Sequence, residues 1–471
     1  VGLFQAIRAF ENPLGEFMRY YRTYGPVFTT RFLGGIEMVW LIGPEANQYI
    51  LVENAKNFSW REGFLGDLIP ILGDGLLTTD REVHDRARRL LNPLFFPARI
   101  RAYAERMILR ARERVEELHL GQELEVFHWM RTLSLTIAGD ILFGFGEAER
   151  LAPAFSSAFD EALRFYAYPL QVQYLRGPLT PWDIMQKARK RMDKILYPEI
   201  ARRRKNGKLG ENILDLLIGA EDNGERFTDK EIRDQAMTLL FAGHDTSTCT
   251  LTWMIMLLGM NRAVYRRLHE EIDSALGDRP PTPEELISGL PYLNQVLAET
   301  LRMYPPAWVG PRRAIEDFEI YGYRIPGGTN VAYSSWLTHH LPHVFPDPEA
   351  FDPDRFTPEE EKKLKPGAYV PFGRGQRLCI GMRFGEMEVK AVAVSLLQRY
   401  HLELLPGQDF RPHTMPTLSP RYGVRVRILP KDLAYRGALA RRTIKRIPSS
   451  ESSPSVPPSA CPVHLSHQDS H

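Results

Sequence analysis

Cysteine is scarce in this 471-residue chain, which has three: Cys249, Cys379 and Cys461. Their wide separation argues against a disulfide framework and a paired-cysteine zinc site, and it fits a reducing, cytoplasmic setting. An excess of one charge is also lacking. Sixty basic against fifty-eight acidic residues leave a formal charge of +2, so no whole-molecule field marks a nucleic-acid binder and any electrostatic partner site must be a local patch. No apolar run reaches the roughly 18 residues that span a bilayer, and no basic-then-apolar leader opens the chain, so no transmembrane segment is expected. Internal repeats are missing too, and no low-complexity linker divides residues 1 to about 430. The reading is one large domain over 1–430, followed by a tail, 431–471, that is basic at first. From about residue 449 the tail is rich in serine and proline and is expected to be disordered.

What is present is enough apolar sequence, 44% with 11% aromatic, to bury a large core. Val27 to Arg31 and Met38 to Ile42 flank Gly34-Gly35 and read as a hairpin. After about residue 80 helical patterns dominate, with capping boxes at Thr228-x-x-Glu231 and Thr282-Pro283-x-Glu285. Proline is absent from Lys230 to Asn261, so one helix of about 32 residues would run about 48 Å. Its centre is unusual, because Gly243, His244, Asp245, Thr246 and Ser247 interrupt an apolar stretch from Met237 to Met260. Beyond Pro305 prolines and glycines become frequent, with strand-like pieces at Phe318 to Tyr323 and Gly423 to Ile428. Met382 to Tyr400 reads as a further helix. The fold class is mainly α with small β-sheets.

The strongest chemical signal is Pro371-Phe372-Gly373-Arg374-Gly375-Gln376-Arg377-Leu378-Cys379-Ile380-Gly381. Glycines on both sides of the cysteine let the backbone turn tightly and approach a flat ligand where a Cβ would clash. Cys379 also lies near the start of the Met382 helix, whose partial positive charge favours a thiolate. The spacing Phe372-x-x-Gly375-x-x-x-Cys379-x-Gly381 resembles the heme-binding signature of the cytochrome P450 family at every defining position. The resemblance covers about Phe4 to Pro430. It implies one large domain in which heme b lies between the long central helix and the cysteine loop, with Cys379 as the iron ligand. A thiolate in that place pushes electron density onto the iron and favours O–O cleavage.

Three further motifs stand in the order that resemblance requires. His84 and Arg88, four apart on one helical face, suit a carboxylate; heme brings two, its propionates, and Arg377 and Arg312 match the remaining propionate positions, with Arg313 adjacent. Glu299 and Arg302 share a helix face, and the resemblance makes them a buried structural pair completed by Arg355. In Ala242-Gly243-His244-Asp245-Thr246, the small pair lets the helix pass close to a flat cofactor. Thr246 and Asp245 are the expected catalytic residues, delivering the two protons that O2 reduction needs. His244 and Cys249 are expected to be packed core residues, and Cys461 with His464 is not expected to bind metal.

The implied function is a heme-thiolate monooxygenase that inserts one oxygen atom from O2 into a substrate by hydroxylation or epoxidation. Peroxide-using and isomerising members depart from the acid–threonine pair, which is intact here; a non-catalytic heme sensor is the alternative from another class. Phe64, Leu65, Leu68, Ile69, Phe165, Tyr166, Ala307, Trp308, Val309 and Leu418 are expected near the pocket and favour a lipophilic substrate. Too few residues follow the cysteine helix for a flavin or iron–sulfur domain, so two electrons must come from a separate acidic donor, a ferredoxin or flavodoxin with its reductase. The candidates for its docking patch are Lys362, Lys363, Lys365, Arg374, Arg86, Arg89, Arg99 and Arg101.

Overall fold

The proline-free stretch forms a helix, Asp229–Met260, of 32 residues. Thr228 Oγ1 accepts from Glu231 N at 3.3 Å while the Glu231 carboxylate accepts from Thr228 N at 2.8 Å, so the expected capping box starts it. Residues on nearly every side of this helix are buried, which is why its sequence lacks a single apolar stripe: it runs through the protein. The helices Val126–Ala138, Pro181–Asn206, Pro291–Met303 and Met382–Leu397 pack around it. In this computed structural model the described residues are 12–31, 35–144, 152–168, 170–173, 175–207 and 209–434. The expected disordered tail, with Cys461 and His464, lies outside them. No helix among the described residues is long and apolar enough to cross a membrane.

The expected hairpin forms, Val27 pairing with Leu41 and Arg31 with Glu37; Gly34 of its turn lies outside the described residues. It makes the edge of a five-stranded sheet in the order Val27–Arg31, Glu37–Leu41, Asn330–Tyr333, Gly310–Ala314, Phe58–Ser59. Three boundaries differ from the sequence reading. Phe318 to Tyr323 is two short strands, Phe318–Ile320 and Tyr323–Ile325, around Tyr321 and Gly322, both at positive φ (52° and 77°). A tyrosine in that conformation is uncommon, which hid the turn. The second strand is Arg425–Pro430 rather than Gly423 to Ile428, because Gly423 takes a positive φ of 68° before it. The cysteine helix ends at Leu397, three residues early, because Tyr400–Leu404 pairs with Arg425–Pro430. Sheet pairing there overrides helix propensity.

Glu299 and Arg302 are fully buried. Arg302 Nε and Nη2 donate to the two Glu299 oxygens at 2.6 and 2.8 Å, and its remaining donors reach the carbonyls of His339 (2.9 Å) and Ala350 (3.1 Å). Arg355 Nε stands 3.5 Å from Glu299, completing the triad. It clamps the Pro291–Met303 helix to the loops that lead into the cysteine segment.

Candidate functional site

Between the central helix and the cysteine loop lies a cavity of about 890 Å³. On the loop side, Cys379 N donates to Phe372 O at 2.9 Å and closes the turn. Gly373 and Gly375 need their freedom, with φ of 71° and 67°, and a Cβ on Gly375 would fall 2.4 Å from the Leu51 carbonyl. Gly381 does not. A Cβ there would meet nothing within 4 Å, and the same holds at Gly243 across the cavity; both glycines face open space, as the seat of a flat ligand requires. The Cys379 sulfur is exposed, and what it is exposed to is this cavity.

The Gly381 N–H at the start of the cysteine helix favours the thiolate, as expected, but it does not act alone. Burial pushes the Cys379 thiol above its ordinary value, outweighing the Gly381 N–H and the nearby Arg88, which pull it down. Desolvation wins because the first turn of the helix contributes only a fraction of a charge.

All four predicted basic residues line the cavity. His84 is buried, its Nδ1 2.9 Å from Asp85, and burial holds its pKa down. Arg88 Nη1 donates to Leu378 O at 2.6 Å, so part of its hydrogen bonding supports the cysteine loop. Arg377 donates to Thr79 O and Asp80 Oδ1, both at 2.8 Å, and burial lowers it to about 10. Arg312 stacks on the Trp60 ring, its Cζ 3.5 Å from the centroid, and Nη1 donates to Pro311 O. Its Nη2 is buried without a hydrogen-bond partner. A buried guanidinium with an unused donor is costly unless an anion completes it, so this wall fits the carboxylate edge of the implied heme. Strand alternation turns the two neighbours apart: Arg312 is 2% exposed, while the Arg313 side chain is 44% exposed and faces Glu62.

On the helix side, Ala242, Gly243 and Thr246 line the cavity. Thr246 Oγ1 donates to Ala242 O at 2.7 Å, and the helix continues unbroken through this turn. Asp245 is not on the cavity wall. It is buried on the other side, 3.9 Å from Arg131 Nε, and burial raises its pKa. His244 is packed as expected, against Phe159 and with Nε2 3.3 Å from Arg131 O, and Cys249 is fully buried. Of the expected pocket residues, Leu68, Tyr166, Ala307, Trp308 and Val309 line the cavity. Ile69, Phe165 and Leu418 do not, the latter two being core, and the side chains of Phe64 and Leu65 lie outside the described ones.

Two groups escaped the sequence reading. The Trp60 ring lies against Arg312 and near Arg377, with their Cζ atoms 3.5 and 5.1 Å from its centroid, and an isolated tryptophan in a loop gives no signal. Glu388 lines the cavity from the cysteine helix, accepts from Ser134 Oγ at 2.6 Å, and is raised by burial to about 7. In sequence it reads as one more helix-surface carboxylate.

The cytochrome P450 family model matches residues 1–427. The chain is 33% identical to cyclooctatin synthase of Streptomyces melanosporofaciens, over 80% of this chain and 83% of that protein. It is 31% identical to a putative cytochrome P450 of Synechocystis, over 86% and 90%. Among solved structures, a cyanobacterial P450 with retinoic acid bound superposes with a TM-score of 0.82 at 29% identity, covering 90% of this chain and 95% of that one.

Proposed function

The chain belongs to the cytochrome P450 family, whose chemistry is that of oxidoreductase monooxygenases, and on that premise we propose that it inserts one oxygen atom from O2 into a lipophilic substrate, by hydroxylation or epoxidation, using two electrons from a separate redox protein. The observation that carries this reading is the pairing of the Cys379 sulfur with the unused Arg312 donor on the walls of one cavity. Heme b, held by Cys379 with its carboxylates toward Arg312, Arg377, His84 and Arg88, would supply oxygen activation. Phe372, Gly375 and Gly381 shape the loop beneath it, and Ala242 and Gly243 leave the central helix free to lie close above.

The protein's own part is binding and proton delivery. Apolar lining from Leu68, Phe241, Ala307 and Val309 excludes water and favours a hydrocarbon body. The solved cyanobacterial P450 that this chain resembles holds retinoic acid, a ligand with a hydrocarbon body, which supports the lipophilic reading. Thr246 presents its hydroxyl at the cavity wall. Asp245 stands behind it as the acid that recharges the site, reaching it by a side-chain rotation or through water. Reconstituted with an electron donor, the protein should consume O2 in step with product; Thr246→Ala should keep its heme yet divert reducing equivalents to hydrogen peroxide. Cys379→His should abolish the strongly red-shifted Soret band of the reduced carbon-monoxide adduct, and a mutant that kept the band would remove Cys379 as ligand.

The donor is an acidic ferredoxin or flavodoxin approaching the cysteine-loop face, but the candidate patch contracts. Arg86 pairs with Glu225 and Glu231, Arg89 with Asp222, Arg99 with Glu211, Arg101 with Glu284 and Lys363 with Glu360. Lys362, Lys365 and Arg374 are exposed and have no ion pair among the described residues.

A further inference from the structure

Among the described residues, four acidic ones line the cavity: Glu16, Asp67, Glu386 and Glu388. Three have partners. Glu16 takes a two-pronged contact from Arg19 at 2.7 and 3.0 Å, Glu386 pairs with Arg383 at 3.1 Å, and Glu388 accepts from Ser134. The Asp67 carboxylate has neither a hydrogen bond nor an ion pair among the described residues. Its backbone, by contrast, is fixed: the buried Tyr166 hydroxyl donates to the Asp67 carbonyl at 2.9 Å. The turn Phe64–Leu68 is thus anchored with an exposed, unpaired acid at the cavity edge, near Leu68 and Tyr166, where partial burial raises its pKa.

The cations of the cavity are elsewhere. His84, Arg88, Arg312 and Arg377 are committed to the wall described above. The other basic side chains in the lining are His244 and His413. Burial holds both below the usual histidine range, His244 at about 4, so near neutral pH neither offers positive charge. A substrate that ends in a carboxylate would therefore meet Asp67 and no free counter-ion among the described residues, whereas one that ends in a hydroxyl would find a charged acceptor with free lone pairs.

We propose that Asp67 determines specificity, selecting lipophilic substrates that carry a hydroxyl away from the oxidised carbon and rejecting those that carry a carboxylate there. This rests on the reading of the cavity as the substrate site. A hydrogen bond to a charged group at the edge of an apolar cavity separates ligands by about tenfold in affinity. Like charge adds to the discrimination against an acid.

The test uses the heme-loaded full chain and three ligands with one hydrocarbon skeleton: retinol, retinyl methyl ether and retinoic acid. Binding is read twice, by the shift of the heme optical spectrum and by calorimetry, which does not depend on turnover. The wild-type protein should bind retinol about tenfold or more tightly than the ether, and the ether more tightly than the acid. In Asp67→Ala the advantage of retinol over the ether should vanish, and in Asp67→Lys the acid should become the preferred ligand. Wild-type protein that binds retinoic acid as well as retinol, or an order unchanged in Asp67→Ala, overturns the role of Asp67 and leaves the lipophilic site standing. Failure of all three ligands to bind overturns that site as well, and this proposal with it.

Discussion

Glu388 shows how burial turns a common residue into a chemical one. It is 1% exposed, has serine rather than cationic partners, and titrates at about 7 against an ordinary 4.5. Between those two values the folded protein holds a proton that the unfolded chain has released, so stability falls as pH rises through this window and levels off above about 7. Glu388→Gln removes the ionisation and keeps an acceptor for Ser134. The variant should match the wild-type protein near pH 4 and exceed it by roughly 3 kcal/mol near pH 8, as read from denaturant midpoints at the two pH values. An equal difference at both would mean that Glu388 titrates as an ordinary carboxylate. Nothing in the sequence flags this residue, because Glu386 and Glu388 lie two apart on one helix and only packing decides that the first pairs with the exposed Arg383 while the second is buried against Ser134.

At the scale of elements, the Glu299–Arg302 pair joins a helix to loops from far along the chain. Removing one member leaves the other charged and buried, whereas removing both leaves an apolar gap. Arg302→Leu should therefore cost about 3–5 kcal/mol of stability, and the double change Glu299→Leu with Arg302→Leu should recover part of that loss. Thermal and denaturant melts of the three variants check it; a double variant no better than the worse single one would place the cost in the lost bonds to His339, Ala350 and Asp352 instead. The spacing of this pair is legible in sequence, but i,i+3 ion pairs occur on many exposed helices, and only burial separates the two cases. The central helix is the opposite case. Its capping box and lack of proline are local facts, and both of its ends fall within a residue of expectation.

For the whole molecule the decisive quantity is which charges remain unbalanced. Surface charges act mainly on encounter rate and are screened beyond about 8 Å at physiological salt. Arg89 is balanced by Asp222, so Arg89→Glu should scarcely alter reduction by an acidic ferredoxin. Arg374→Glu, on the cysteine loop and without an acidic partner among the described residues, should slow reduction severalfold at low salt while substrate affinity holds. Stopped-flow reduction across a salt series checks both. Equal rates in the two variants, or no dependence on salt, would place the donor on another face or on apolar contacts.

Chemistry written in short windows is what the sequence determined by itself: the Phe372-to-Gly381 signature with its cysteine, the Ala242-to-Thr246 turn on an unbroken helix, the His84–Arg88 spacing, and the predominance of helix. These are legible because neighbours in sequence are held by covalent geometry, so spacing alone carries the information. The tertiary structure decided everything that depends on desolvation and on partners from distant segments. It placed Asp245 behind the cavity wall and left a donor of Arg312 unused beside Trp60. It spent most of the presumed docking charges on internal ion pairs, and it exposed an unpaired Asp67 to an apolar cavity. Burial and pairing are properties of a three-dimensional neighbourhood, and side chains that read alike in sequence acquire opposite roles once that neighbourhood sets their solvation.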